Sequence, residues 1–253
     1  MTSDPRDRTY PVCGVPITAV DQTGAVGRIV RAARAGDHLG VHLCNAYTLS
    51  LVGRDMRLRQ ALKVGYNIPD GVPVARMGRR LGQQGPVRGS DLVAAVCKAD
   101  SGLRHYFYGG GPGVAAAMGA RLQKETGAKV AGAESPPFGD FGPAELAALA
   151  ERVQESKADV VWVGLGTPKQ DYLVADLSDL IDRPVVPVGA AFDFWAGKVR
   201  EAPAWLHGTG LEWAHRLLSE PGRLWKRYLV GNPQFLLSAL RHELRERRSR
   251  RRG

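Results

Sequence analysis

Cysteine is scarce in this 253-residue chain. Cys13, Cys44 and Cys97 stand far apart and no CxxC pair exists. That spacing excludes a zinc ribbon and a dithiol redox motif, and an odd, sparse count fits a reducing compartment. No apolar run approaches the ~18 residues of a membrane-crossing helix. The opening stretch MTSDPRDRTYPV has no apolar core of a signal peptide, so a cytoplasmic location is expected. Nucleotide signatures are incomplete as well. No GxGxxG is followed by an acid about 20 residues on, and no Walker GKS or GKT occurs. No DxD metal motif is present, and no repeat of solenoid period is found.

What is present suits a large enzyme domain. Hydrophobic residues make up 44%, enough for a sizeable core, and 31 Gly with 16 Pro point to many turns rather than a coiled coil. The net charge of +10 is uneven. From Arg200 onward there are 12 Lys/Arg against 5 Asp/Glu, and the final thirteen residues hold seven arginines.

Strand and helix patterns alternate along the first 197 residues. Strand-like PVCGVPITAV, HLGVHLCNAYT, LRHYFYGGG, AKVAGAES, DVVWVGLG and RPVVPVG are separated by helical periodicities such as TGAVGRIVRAARAG and SDLVAAVCKADSG. YNIPDGVPVARMGRRLG starts as a turn and becomes a helix, and FDFWAG reads as a loop. This order predicts an α/β, Rossmann-like, mostly parallel sheet flanked by helices. After Gly197 the pattern is helical only, broken by Pro221 and Pro233. The expected division is a catalytic core at 1–197 and a basic helical appendage at 198–253.

Five stretches carry candidate chemistry. In YGGGPG, Gly110 and Gly111 sit between strand and helix, where backbone N–H groups can approach a phosphate; a tight turn without ligand is the plain alternative. In NIPDGVPV, Asp70 precedes a helix and reads either as a cap or as a general base. In VGLGTPKQD, Lys169 and Gln170 open a helix, and an amide there can bind sugar hydroxyls; solvated polar residues at a helix start are the alternative. Asp193 lies between Phe192 and Phe194, so its charge needs a partner. In the appendage, Arg223, Lys226 and Arg227 recur at helical spacing among Trp225, Tyr228 and Leu229. That mixture fits an interfacial helix on an anionic membrane, with a nucleic-acid arm or a core helix plus solvated tail as rivals.

The order of the blocks is more specific than any one of them. CNAYTLSLV, PDGVPV, GSDL, FYGGGPGVA, SPPFGDF, VGLGTPKQD, GAAFDFWAGKV and GLEWAHRLLSEPGRLWKRYLVGNPQFL resemble the successive blocks of the WecG/TagA/CpsF glycosyltransferases, family 26, from about Val12 to about Leu237. The resemblance implies an inverting, metal-independent enzyme. It moves a sugar, N-acetylmannosamine in type, from a UDP donor to a polyprenyl-diphosphate-linked N-acetylglucosamine. Its setting is the synthesis of teichoic acid, common antigen or capsule. No cofactor is implied, since the UDP-sugar is a substrate. The implied location is peripheral, on the inner face of the plasma membrane, with an anionic surface and other copies of the chain as partners and no nucleic acid.

By motif position, Asp70 matches the family's general base. Asn45 lies near the donor, and Arg88, Gly110, Gly111, Gln170 and Asp193 match donor or acceptor positions. Arg216, Arg223 and Arg227 match positions that meet the lipid diphosphate or the leaving UDP. The sequence departs from the pattern at Leu43, Cys44 and Tyr47 around NA, at Pro86 with Arg88 two residues on, at Asp171 and at Glu201. These departures cluster around sugar handling. They keep open a soluble transferase that glycosylates a small natural product with a different UDP-sugar.

Overall fold

A computed structural model describes residues 8–136 and 142–250, without the side chains of residues 204, 223 and 243–250. Residues 137–141, most of the SPPFGDF block, therefore lie outside the described residues, as do the arginine side chains beyond His242.

The described strands are β1 (Thr9–Val12), β2 (Val15–Thr18), β3 (Leu39–Cys44), β4 (Tyr66–Pro69), β5 (Arg104–Gly109), β6 (Lys129–Glu134), β7 (Val160–Gly164) and β8 (Pro184–Pro187). β1 and β2 form an antiparallel hairpin, and the other six form one sheet in the order β4-β3-β8-β7-β5-β6. The pairs β3–β8, β8–β7, β7–β5 and β5–β6 are parallel. The expected α/β, mostly parallel, Rossmann-like sheet flanked by helices is what forms.

Contacts divide the chain into two compact units, one of residues 22–43 and 87–200, the other of 1–21, 44–86 and 201–253. In the first, helices cover both faces of the strands. α6 (Val114–Thr126) packs on β5 and β6, with α1 (Gln22–Ala35), α5 (Gly89–Ala99) and α9 (Ala191–Trp195) in the same layer. α8 (Lys169–Ser178) packs on β7 and β8, beside α7 (Pro143–Glu155). Side chains alternate along a strand, so Tyr106 and Tyr108 pack with Leu149, Val153, Leu173 and Leu177, while Phe107 meets Phe192 of α9 edge-on at 6.4 Å. Both faces are buried, which is why the strands read as continuous apolar runs. Fully buried His105 accepts the Trp162 indole N–H at 3.1 Å. Burial pulls that imidazole down to about 4, so it is neutral near pH 7.

In the second unit, α2 (Ala46–Leu51), α3 (Met56–Val64) and α4 (Val72–Met77) accompany the hairpin and β4, and α10 (Glu212–Ser219), α11 (Pro221–Leu229) and α12 (Gly231–Arg250) follow. α3 packs on β2, and α12 packs on α2. Tyr10 donates its hydroxyl to the Val74 carbonyl at 3.1 Å, joining β1 to α4.

Three local expectations change. YNIP is a strand rather than a turn, NAYT begins a helix rather than a polar turn, and FDFW is a short helix rather than a loop. Each element is four to six residues long, too short for periodicity to reveal.

Candidate active site

Asp70 follows β4 directly, and its backbone N–H still bonds the Cys44 carbonyl at 3.0 Å. Gly71, with φ +85°, turns the chain and occupies the N-cap of α4 without a side-chain bond. Asp70 is thus one residue upstream of the cap, and the capping alternative is corrected: its carboxylate bonds another side chain. Asn45 Nδ2 donates to Asp70 Oδ2 at 3.0 Å. Asn45 Oδ1 accepts from the Thr48 N–H at 3.1 Å and so caps α2.

Burial pushes the Asp70 carboxyl above the ordinary aspartate range. The Asn45 hydrogen bond and the positive charges of Arg227 and Arg216 pull it partly back, and Glu212 adds to the rise. A carboxylate of raised basicity beside guanidinium groups can accept a proton while neighbouring cations meet an anion. Arg227, half-buried, lies over the Tyr47 ring at 4.9 Å. Its Nε is buried without a hydrogen bond. Burial lowers its proton affinity, Tyr228 restores part of it, Arg216 lowers it further, and Asp70 and Tyr47 oppose that.

In the other unit, β5 ends in Gly109 and Gly110 follows it, with φ of +147° and +70°. A Cβ on Gly109 would stand 2.6 Å from the Gly164 backbone, and one on Gly164 would stand 2.4 Å from Phe192. Gly110 donates to the Gly164 carbonyl at 2.9 Å, so the ends of β5 and β7 are joined without side chains. Ser135 donates its hydroxyl to the Gly109 carbonyl at 3.2 Å and accepts from the Ala115 N–H at 3.4 Å. Gly111 and Gly113 face open space. An exposed turn of this kind before a helix suits an anionic group.

Gln170 opens α8 and is buried. Its Nε2 donates to Thr167 Oγ1 at 3.5 Å, and its buried Oε1 has no hydrogen-bond partner. Gly189, with φ +51°, lies against that amide: a Cβ there would be 3.3 Å from Oε1. The next residue, Asp171, meets His42 of β3 at 3.0 Å, both side chains 1% exposed.

Arg88 is extended, and its Nη1 bonds Asp91 Oδ2 at 2.7 Å on the first turn of α5. Asp193 is half-buried in α9 and has a partner, as its aromatic flanks required. Asn45, Asp70, Arg216 and Arg227 come together in one unit, and Gly110, Gly111, Gln170, Arg88 and Asp193 belong to the other. The Arg223 side chain lies outside the described residues.

Sequence reading missed Tyr47, Glu212, Gly189 and the His42–Asp171 pair. Of these, Tyr47 and Asp171 had a signal, as departures from the family pattern.

Among the described residues no helix is long and apolar enough to cross a membrane. The C-terminal helices nonetheless present apolar side chains to solvent. Leu218 is 83% exposed, Leu229 62% and Leu236 64%, with Trp205, Trp213 and Trp225 also exposed.

Residues 10–249 match the family model described as the glycosyl transferase WecG/TagA/CpsF family. The N-acetylglucosaminyldiphosphoundecaprenol N-acetyl-beta-D-mannosaminyltransferase of Bacillus spizizenii is 31% identical over 182 residues, which span 70% of this chain and 68% of that protein.

Proposed function

The chain belongs to the WecG/TagA/CpsF family of glycosyltransferases, and on that premise we propose that it transfers N-acetylmannosamine from UDP to a polyprenyl-diphosphate-linked N-acetylglucosamine. The observation that carries the reading is the Asp70 carboxyl, held by Asn45, raised in basicity and bordered by Arg227 and Arg216. The relative's printed name supports the sugars and the lipid carrier.

In the proposed reaction the acceptor hydroxyl oxygen attacks the anomeric carbon as Asp70 takes its proton. The bond from that carbon to the UDP oxygen breaks, and its electron pair leaves with UDP. A single displacement inverts the anomeric centre. Arg227 and Arg216 offer fixed positive charge to a diphosphate, the role a divalent cation would otherwise play, which supports a metal-independent step. The same guanidiniums suit the acceptor's diphosphate. Gly110 and Gly111 offer backbone to the donor's phosphates, and the buried Oε1 of Gln170, which has no hydrogen-bond partner, accepts from a sugar hydroxyl. Arg88 and Asp193 complete the proposed contacts to donor or acceptor.

We assign membrane attachment to residues 198–253. Exposed Trp225, Leu229, Leu236 and Leu237 beside Lys226 suit an anionic bilayer surface. This apolar display favours a lipid-linked acceptor over a soluble natural product.

The test supplies UDP-N-acetylmannosamine and a short-chain polyprenyl-diphospho-N-acetylglucosamine, with UDP release and the disaccharide lipid as readouts. Asp70→Asn should lose transfer while retaining UDP binding, and retained full activity removes Asp70 from the base role. Leu229→Ser with Leu236→Ser should weaken binding to phosphatidylglycerol vesicles. Unchanged binding refutes the membrane assignment.

A further inference from the structure

We propose that Tyr47 is a positioning residue for Arg227, seating the guanidinium by its ring face so that the N–H edge stays available beside Asp70. The inference rests on the reading of Asp70 as base and Arg227 as a diphosphate contact.

Tyr47 stands in the first turn of α2, two residues after Asn45. Three contacts fix it. The Ser50 hydroxyl donates to the Tyr47 carbonyl at 2.7 Å. Gly231, the first residue of α12, approaches the ring so closely that a Cβ there would lie 2.9 Å from Cδ2. The Arg227 guanidinium carbon is 4.9 Å from the ring centroid. The second ring near that cation, Tyr228, is more distant at 6.0 Å.

The type of contact decides what remains for a ligand. A carboxylate would bind a guanidinium through its N–H edge and occupy the donors that recognise phosphate. An aromatic ring binds it through the flat face and leaves those donors unspent. The buried Nε without a hydrogen bond agrees with a cation held by its face. The charges around Asp70 are Arg227 from α11 and Arg216 and Glu212 from α10, with neutral Asn45 bonded to it. Arg227 comes first among those charges in lowering the proton affinity of Asp70. Releasing Arg227 from Tyr47 should therefore raise Asp70 further.

The experiment follows the Asp70 carboxyl by 13C NMR titration in the full chain without substrate, and kcat and KM with UDP-N-acetylmannosamine. Tyr47→Phe keeps the ring and should match the parent in both. Tyr47→Leu should move the Asp70 titration upward and lower kcat on the order of tenfold. Arg227→Gln should give a similar upward move, and the double variant should add little to either. Ring-fluorinated phenylalanine at position 47 keeps shape while weakening the attraction to a cation, so the titration should climb with fluorine number even if Tyr47→Leu does not fold. An Asp70 titration unmoved by fluorination, or fully additive shifts, overturns the proposal. If Asp70→Asn retains transfer while the titration still follows the ring, the catalytic reading fails and the Tyr47–Arg227 coupling stands.

Discussion

Asn45 uses both ends of one amide. Its nitrogen donates to Asp70 while its oxygen caps the helix that carries Tyr47. The orientation of the Asp70 carboxyl and the start of α2 are thus set by a single side chain.

Asn45→Ala should act on stability and chemistry together. Loss of the cap costs about 1 kcal/mol, visible as a lower Tm. Loss of the donor removes a bond that favours the ionised Asp70, so the acid limb of kcat/KM should move to higher pH. Asn45→Ser, which can cap but does not reach as far, should recover the Tm more than the pH profile.

Asp70→Asn should raise Tm near neutral pH while reducing transfer by roughly 10²–10⁴-fold. The folded-state carboxyl titrates above its unfolded value of 3.8. Between those two values the folded state binds more protons, so stability falls as pH rises through that window. The amide removes this loss and can still accept from Asn45. The Tm advantage should vanish on acidification to the unfolded value. An equal advantage at all pH values contradicts the assignment.

His105 gives the opposite slope. Its imidazole titrates at about 4 in the fold against 6.5 when unfolded. Between these values the unfolded chain binds more protons, so stability rises with pH there and is lost as pH falls from 6.5 toward 4. His105→Phe should flatten the curve by one proton's worth. It should also cost ~1–3 kcal/mol at pH 7, because the Trp162 indole N–H loses its acceptor. Urea unfolding across that range measures both.

The glycines of the β5 and β7 ends should separate by role. Gly164→Ala drives a methyl into Phe192 and should cost ~1–3 kcal/mol or more. Gly111→Ala meets open space, so its Tm should match the parent. A raised KM for the UDP-sugar at unchanged Tm would mark Gly111 as a phosphate contact.

The sheet was legible because its strands are apolar on both faces. HYFY and VVWV needed no partner to be recognised, whereas Tyr66–Pro69 carries Asn67 and Pro69 in four residues and gave no strand signal. Asp70 and Gln170 became candidates through motif order, since a lone Asp before Gly or a lone Gln has no distinctive pattern. The Asn45–Asp70 bond and the stacking of Arg227 on Tyr47 join segments distant in the chain, and no local rule connects them. The apolar faces of α11 and α12 were legible as residue types, but the exposure of Leu229 and Leu236 required the fold.

Where β5 and β7 end, Gly109 and Gly164 meet backbone to backbone, with Phe192 closing the space a methyl would need. A junction made of main chain alone depends on the absence of a Cβ at both positions and not on the chemistry of any side chain. A side chain at either strand end therefore strains the junction itself, whereas one at Gly111 or Gly113 meets open space and leaves it intact.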